Sequence, residues 1–330
     1  MDNEAFEGIP CATHDITLQD FAERSVFQAD VLAVLSCADS RVCIVDCSLW
    51  IVSASSAAVI VLQSNGDFIR RLHIHEPHTV CCSGLQRAGN NLQPVAVTQT
   101  LKGEIVVAGC GLHHGLLYRF NKGSHLDDLG LVHTSSDGSI EHVLSEGHFV
   151  DVVHDAHCVY GLERSDHSRS CYRVRSFYTN ERGNWIHVTD TCLQNGVTYD
   201  RLQVRNSMLY LSRVSETAAV VDQFNQDGIL VSSLTCANPL IHAPHLADLD
   251  VSGSFLLTDA TSNHLCVLGL DRSWRTIDVI NIVEPVSAQL HCATGIIWII
   301  GRDKRTKTAA LFAISLPHPH EPVEHNNHQS

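Results

Sequence analysis

The chain has 330 residues, 44% of them apolar and 18% charged, enough apolar side chain for a large core and far from the composition of a disordered chain. Its formal net charge is −14, from 22 basic and 36 acidic side chains. Nucleic-acid binding draws its affinity from Lys and Arg on phosphate, so this balance argues against RNA, DNA and anionic membrane surfaces as partners.

Residues 1–24 open acidic (MDNEAFEGIP) and carry no apolar secretory core, so they read as an N-terminal extension of a cytoplasmic protein. The 13 cysteines, from Cys11 to Cys292, include no CxxC pair and read as reduced, small apolar residues. The run near Ala57–Leu62 is too short to span a bilayer. Residues 25–36 (SVFQADVLAVLS) form a β-type segment with no neighbour of its own.

From residue 42 a pattern recurs: apolar run, polar turn, second β-rich run, polar loop, third run, turn with Asn, Asp or Gly. The first copy is VCIVD, LWIVS and AVIVLQ, then Ser64-Asn65-Gly66-Asp67, a hairpin signal, then FIRRLHI. The second is PVAVT, EIVVAG and LLYRF; the third FVDVV, CVYGLE and CYRVRSF; the fourth YDRLQV, MLYLSR and AVVDQF. The fifth is LADLDV, FLLTD and HLCVLGL; the sixth VSAQL, IIWII and ALFAIS, stopped by Pro317. First strands begin near residues 42, 94, 149, 199, 246 and 286, the spacing of roughly 40 to 55 residues that one four-stranded blade occupies. Helix-period stripes are absent. The expected fold is all-β: a six-bladed β-propeller of four-stranded antiparallel blades over residues 25–316. Its ring is closed by residues 25–36 completing the sixth blade, because an open array would leave an unpaired edge. Residues 317–330 read as a disordered tail rich in histidine.

Asp250–Trp274 (DVSGSFLLTDATSNHLCVLGLDRSW) resembles an NHL-type repeat in its turn Gly, apolar triplet, Asp, polar loop with Asn, and Asp turn. Leu49–Ile69 is similar, with Ser53 in place of the Asp, and Leu209–Leu230 is a looser match. The resemblance implies a six-bladed ring that binds proteins or, in some members, RNA; related rings include calcium-dependent lactonases and esterases.

In a propeller the innermost strands line a central channel. Aligning the copies places His148-x-x-Asp151 in register with His245-x-x-Asp248, and Gln93 and Glu284 beside the histidines. Gln93, His148, His245 and Glu284 would ring the mouth, with Asp151, Asp248 and Ser287 deeper. Imidazoles and carboxylates on one axis either hold a divalent cation or a small polar ligand, or solvate a water-filled channel and cap loops. His148, Asp151, His245, Asp248 and Glu284 are the candidate ligands, for Ca or Zn; no other cofactor is called for. His73, His75 and His78 have metal-like spacing but sit on an outer strand. Loops on the proposed functional face hold His113, His114, Arg164, Asp166, His167, Arg213, Asp259, Arg302, Lys304 and Arg305, candidates for contact with a protein partner or an ordinary solvated surface. No phosphate loop, GxSxG elbow or HExxH occurs, so no catalytic residue is named. A non-catalytic scaffold for protein partners is the expected function. The alternatives are a metal-dependent hydrolase with an axial His/Asp/Glu site and an RNA-binding module.

Overall fold

The computed structural model describes residues 23–25, 40–45, 48–55, 58–63, 68–74, 93–100, 103–110, 115–121, 136–155, 158–165, 171–180, 185–213, 218–236, 245–249, 254–269, 274–279, 281–291 and 295–315. Among them every regular element is a strand. β1 (Glu23–Ser25) is followed by β2 (Ser40–Val45), β3 (Ser48–Ser53), β4 (Ala58–Leu62) and β5 (Phe68–Ile74). Next come β6 (Gln93–Gln99), β7 (Ile105–Cys110), β8 (Gly115–Asn121) and β9 (Ser136–Glu146), then β10 (His148–His154), β11 (Cys158–Arg164), β12 (Tyr172–Thr179) and β13 (Trp185–Cys192). The chain continues through β14 (Tyr199–Arg205), β15 (Met208–Arg213), β16 (Ala219–Phe224) and β17 (Leu230–Cys236), then β18 (His245–Leu249), β19 (Phe255–Asp259), β20 (His264–Leu268) and β21 (Trp274–Asp278). It ends in β22 (Ile282–His291), β23 (Ile296–Asp303) and β24 (Ala309–Ser315).

Each group of four is an antiparallel meander, and the fold is a β-propeller. Local chemistry supports the hairpins. β14 and β15 meet at Asn206 and Ser207, both at positive φ, the backbone a type I′ turn needs to match strand twist. The middle strands are covered on both sides: β19 is buried at all five positions, and β3 at five of six. That explains why FLLTD and LWIVS read as apolar runs without alternation, as strands sandwiched on both faces do.

The hydrophobic clusters join neighbouring meanders. Trp50, Val59 and Val61 pack on Val97 and Val107 of the next meander. Ile51 and Ile60 pack on Trp298 and Ile300 of the last, which brings the two ends of the repeat array together. Fully burying a Val, Leu or Ile side chain stabilises by about 1.5–3 kcal/mol, so these shared faces are the main force holding the meanders side by side. The inner strands follow one another in the order β2, β6, β10, β14, β18, β22, and β22 packs back against β2.

Two expectations change. The sheets number five, not six, because β5 pairs in parallel with β9 over Leu72–Ile74 and Ser136–Gly138 and fuses the first two meanders into one eight-stranded sheet. At the N-terminus, the strand that pairs with β24 is Glu23–Ser25, in register Glu23↔Ile314 to Ser25↔Phe312. It shares only Ser25 with the expected closing segment, and residues 26–36 lie outside the described residues. No helix among the described residues is long and apolar enough to cross a membrane.

Candidate functional site

A recurring bulge sets the axial residues. The inner strands slip register at Pro94/Ala96, Phe149/Asp151, Tyr199/Arg201, Leu246/Asp248 and Val283/Ser287. A bulge re-aims the residues beside it. The residues after it, Ala96, Asp151, Arg201 and Ser287, line one cavity together with Arg41 of β2, which has no bulge. All six inner strands contribute to this axial space of about 160 Å³, walled also by Cys43, Thr98, His154, Gln203, Ala247 and Gln289.

Asp151 is the hub. Its carboxylate is buried, and Oδ1 accepts Arg41 Nη1 at 2.8 Å and its neighbour's Val152 N–H at 2.9 Å. Oδ2 accepts the Leu202 N–H of the following meander at 2.8 Å. Ser287 plays the same part at the ring's other seam: its Oγ accepts the Val42 N–H at 3.1 Å. Arg41 also donates Nη2 to the Val150 carbonyl at 2.8 Å, which fixes its guanidinium across the channel. Burial, then the charge of Arg201, lowers the Arg41 pKa to about 10 against the pull of Asp151 and Asp200, so it stays charged at neutral pH. Arg201 donates Nη1 to the Asp200 carbonyl at 3.2 Å. Thr98 Oγ1 and His154 Nδ1 hydrogen-bond at 2.7 Å, and burial pushes the imidazole below its usual pKa despite the Asp155 carboxylate. Burial raises the Cys43 thiol to about 11, so it is no thiolate nucleophile.

The bulged Asp200 turns away from this cavity. Its carboxylate takes a bond from His245 Nδ1 and one from Ser212 Oγ at 2.5 Å. Burial works to raise its pKa, but the hydrogen bond and charge of His245, with Arg201 and Ser212, hold it below the ordinary range.

Of the expected axial ring, Asp151 and Ser287 reach the cavity; Gln93, His148, His245 and Glu284 are not among its lining residues. Gln93 is exposed, and His148 is half-buried at the start of β10. Glu284 is exposed and ion-paired with Arg302 Nε at 2.6 Å. The Asp248 side chain lies outside the described residues. Among the described residues no three His, Cys, Asp or Glu side chains are grouped to hold one metal ion.

The face loops divide similarly. Asp259 is fully buried, and its Oδ1 caps the Thr261 and Ser262 N–H groups. Arg213 donates Nη2 and Nε to Asp222 at 2.6 and 3.1 Å, so both groups are spent inside the fourth meander. Arg164, Lys304 and Arg305 are exposed, the last two in a turn held by Asp303 Oδ1 on the Arg305 and Thr306 N–H groups. His113, His114, Asp166 and His167 lie outside the described residues, as do His75 and His78; the side chain of His73 does too. Arg41 and Arg201 went unread in the sequence, although the register of His148-x-x-Asp151, extended to the first and fourth copies, falls on both.

No family model matches the chain, and no curated protein sequence does. The NHL-type likeness therefore remains one of residues in two or three copies. Solved structures do match in fold. PQQ-bound aldose sugar dehydrogenase from Streptomyces coelicolor is similar over 89% of this chain and 98% of its own, with a TM-score of 0.57 and 8% identity. A luciferin-regenerating enzyme matches over 84% and 92%, with a TM-score of 0.53 and 7% identity. Virginiamycin B lyase from Staphylococcus aureus matches over 90% and 99%, with a TM-score of 0.52 and 11% identity. At such identities the likeness establishes the β-propeller fold and nothing of activity.

Proposed function

We propose that the chain is a six-bladed ring, its last blade completed by β1, that works by recognition and holds an extended segment of a protein partner on its outer rim. One observation carries this. The large hydrophobic side chains exposed among the described residues all lie on two neighbouring meanders: Tyr178, Ile186 and Val188 on one, Ile229, Leu230 and Val231 on the next. Thr191 Oγ1 clasps the two through the Gln226 carbonyl at 2.7 Å. β13 is the last strand of its sheet, and residues 186–190 are exposed in succession. An apolar strand at a sheet edge is a template for a strand from another protein, with backbone bonds supplying affinity and the apolar side chains selectivity.

The six-blade reading rests on the continuous circuit of inner strands and on the β1–β24 pairing. The metal-dependent hydrolase draws less support, because Asp151 and Asp200 are already committed to Arg41, His245 and backbone or hydroxyl donors. A carboxylate so engaged must break structural bonds before it takes a metal or shuttles a proton.

Photo-crosslinking residues placed at Val188 and at Leu230 test the rim. The reading expects one protein adduct common to both positions. That protein, purified, should bind the intact chain and lose about ten-fold or more in affinity to Val188→Lys with Val231→Lys. Absence of a common adduct, or binding indifferent to both lysines, overturns the rim reading.

A further inference from the structure

We propose that the axial cavity is a binding site for a small monoanionic carboxylate, gripped by the Arg201 guanidinium beside that of Arg41. The inference is independent of the rim and of any protein partner.

Charge is the first argument. Arg41, Arg201 and Asp151 are the charged residues lining the cavity, and the buried Asp200 carboxylate, outside the lining, acts on both guanidiniums while its bonds go to His245 and Ser212. The Asp151 carboxylate is committed to Arg41 and two backbone N–H groups. Arg201 has no such bonds: the Asp200 carboxylate acts on its charge but spends its own bonds on His245 and Ser212, and the Arg201 bond is to a backbone carbonyl. A guanidinium offers five donors in a planar fork that fits a carboxylate bidentately, so most of that fork remains unused. Two like charges sharing one space also repel: after burial, the Arg201 charge is the next cause that lowers Arg41, against the pull of Asp151 and Asp200. An anion between them relieves that repulsion, whereas a cation adds to it.

Size and lining narrow the ligand. A cavity of ~150 Å³ takes a benzene-sized molecule, so about 160 Å³ admits an organic acid of about six to ten heavy atoms and excludes nucleotides and polymers. Val42, Val97, Val153 and Ala247 offer an apolar wall for its body, and Gln203 an amide for a further polar group. The guanidiniums are positioned before binding: Arg41 is locked at both Nη atoms, and Arg201, paired with Ser212 just after the bulge, is held by the bond of its Nη1 to the Asp200 carbonyl. Such preorganisation reduces the entropy lost on binding.

Calorimetry and thermal shift on the full chain test the site, with sodium benzoate and sodium butyrate as probes. Benzamide and butyramide serve as uncharged shapes and sodium sulfate as a general anion, at fixed ionic strength. The expected result is saturable binding of a carboxylate with a raised Tm and no response to the amides. Arg201→Gln should weaken that binding about ten- to a hundred-fold, and Arg201→Lys, which keeps the charge without the fork, should retain part of it. Four results each overturn the site: amides matching the acids, sulfate matching them, Arg201→Gln binding as intact protein does, or no carboxylate response below about 10 mM. Should Arg201→Gln fail to fold, Arg201→Lys decides: undiminished affinity refutes the fork, and a partial loss supports it.

Discussion

Changing Asp151 to asparagine keeps the shape and removes the charge at the point where three meanders meet. The Asp151 side chain is 8% exposed and that of its partner Arg41 15%. The substitution takes from Arg41 its paired carboxylate at a buried site, a loss of about 3–5 kcal/mol in comparable pairs. The new amide also turns N–H groups toward Arg41 Nη1, or toward Val152 or Leu202 N–H, where the native carboxylate accepted them. One acceptor oxygen survives, so we place the total near 4 kcal/mol, the middle of that range. Urea unfolding at pH 7 is the assay, because guanidinium is itself a salt and screens the pair. Arg41→Gln supplies the second edge of a double-mutant cycle. Asn and Gln at the two positions hydrogen-bond to each other, so the double variant should be more stable than the sum of single losses predicts, by about 1–3 kcal/mol. A loss below about 1 kcal/mol for Asp151→Asn, or additivity within about 0.5 kcal/mol, would refute the Arg41–Asp151 hub.

Acid should weaken the fold through His154. Its pKa is depressed in the folded state, so the unfolded chain binds the extra proton first, and stability falls as pH drops below the unfolded value of 6.5. Tm measured from pH 7.5 to 5.5 should therefore slope less in His154→Gln than in the intact protein; equal slopes would show that His154 is not the group responsible. Gly228→Ala should destabilise by about 1–3 kcal/mol, read from the urea midpoint. The residue sits at φ +78°, and an added Cβ would stand 2.7 Å from the Cys192 backbone oxygen of the neighbouring meander. An unchanged midpoint would mean that the clasp between those meanders is loose.

The middle strands were legible in the sequence because both of their faces are buried. LWIVS, CVYGLE, FLLTD and IIWII are apolar runs for that reason, and they fixed the repeat spacing. The outermost strands were harder to read. Ser136–Glu146 (SDGSIEHVLSE) and Trp185–Cys192 (WIHVTDTC) lie outermost in their meanders, and residues 186–190 of the latter are exposed in succession, so no apolar run marks it. The β5–β9 pairing, and with it the fused sheet, follows from that missed strand. At the axis, register alone placed Asp151 and Ser287 on the cavity wall. The bulge was not legible: it turns Asp200 out to His245, while Arg201, in the register position of Asp151, lines the cavity. Attention to histidines and acids also passed over Arg41, the residue that neutralises the axial acid.

The account depends on the chain returning on itself, so that β2 lies against β22 and β1 against β24. Hydrogen exchange of peptides spanning Ala309–Ser315 tests that directly, in the intact chain and in the double variant Arg24→Pro with Ser25→Pro; one of two successive strand residues donates its backbone hydrogen to the partner strand, so the variant loses that bond to β24. The account predicts slow exchange over residues 312–314 in the intact chain, faster by about ten-fold or more in the variant, the equivalent of roughly 1.4 kcal/mol of lost local stability. Identical exchange in the two proteins would contradict it.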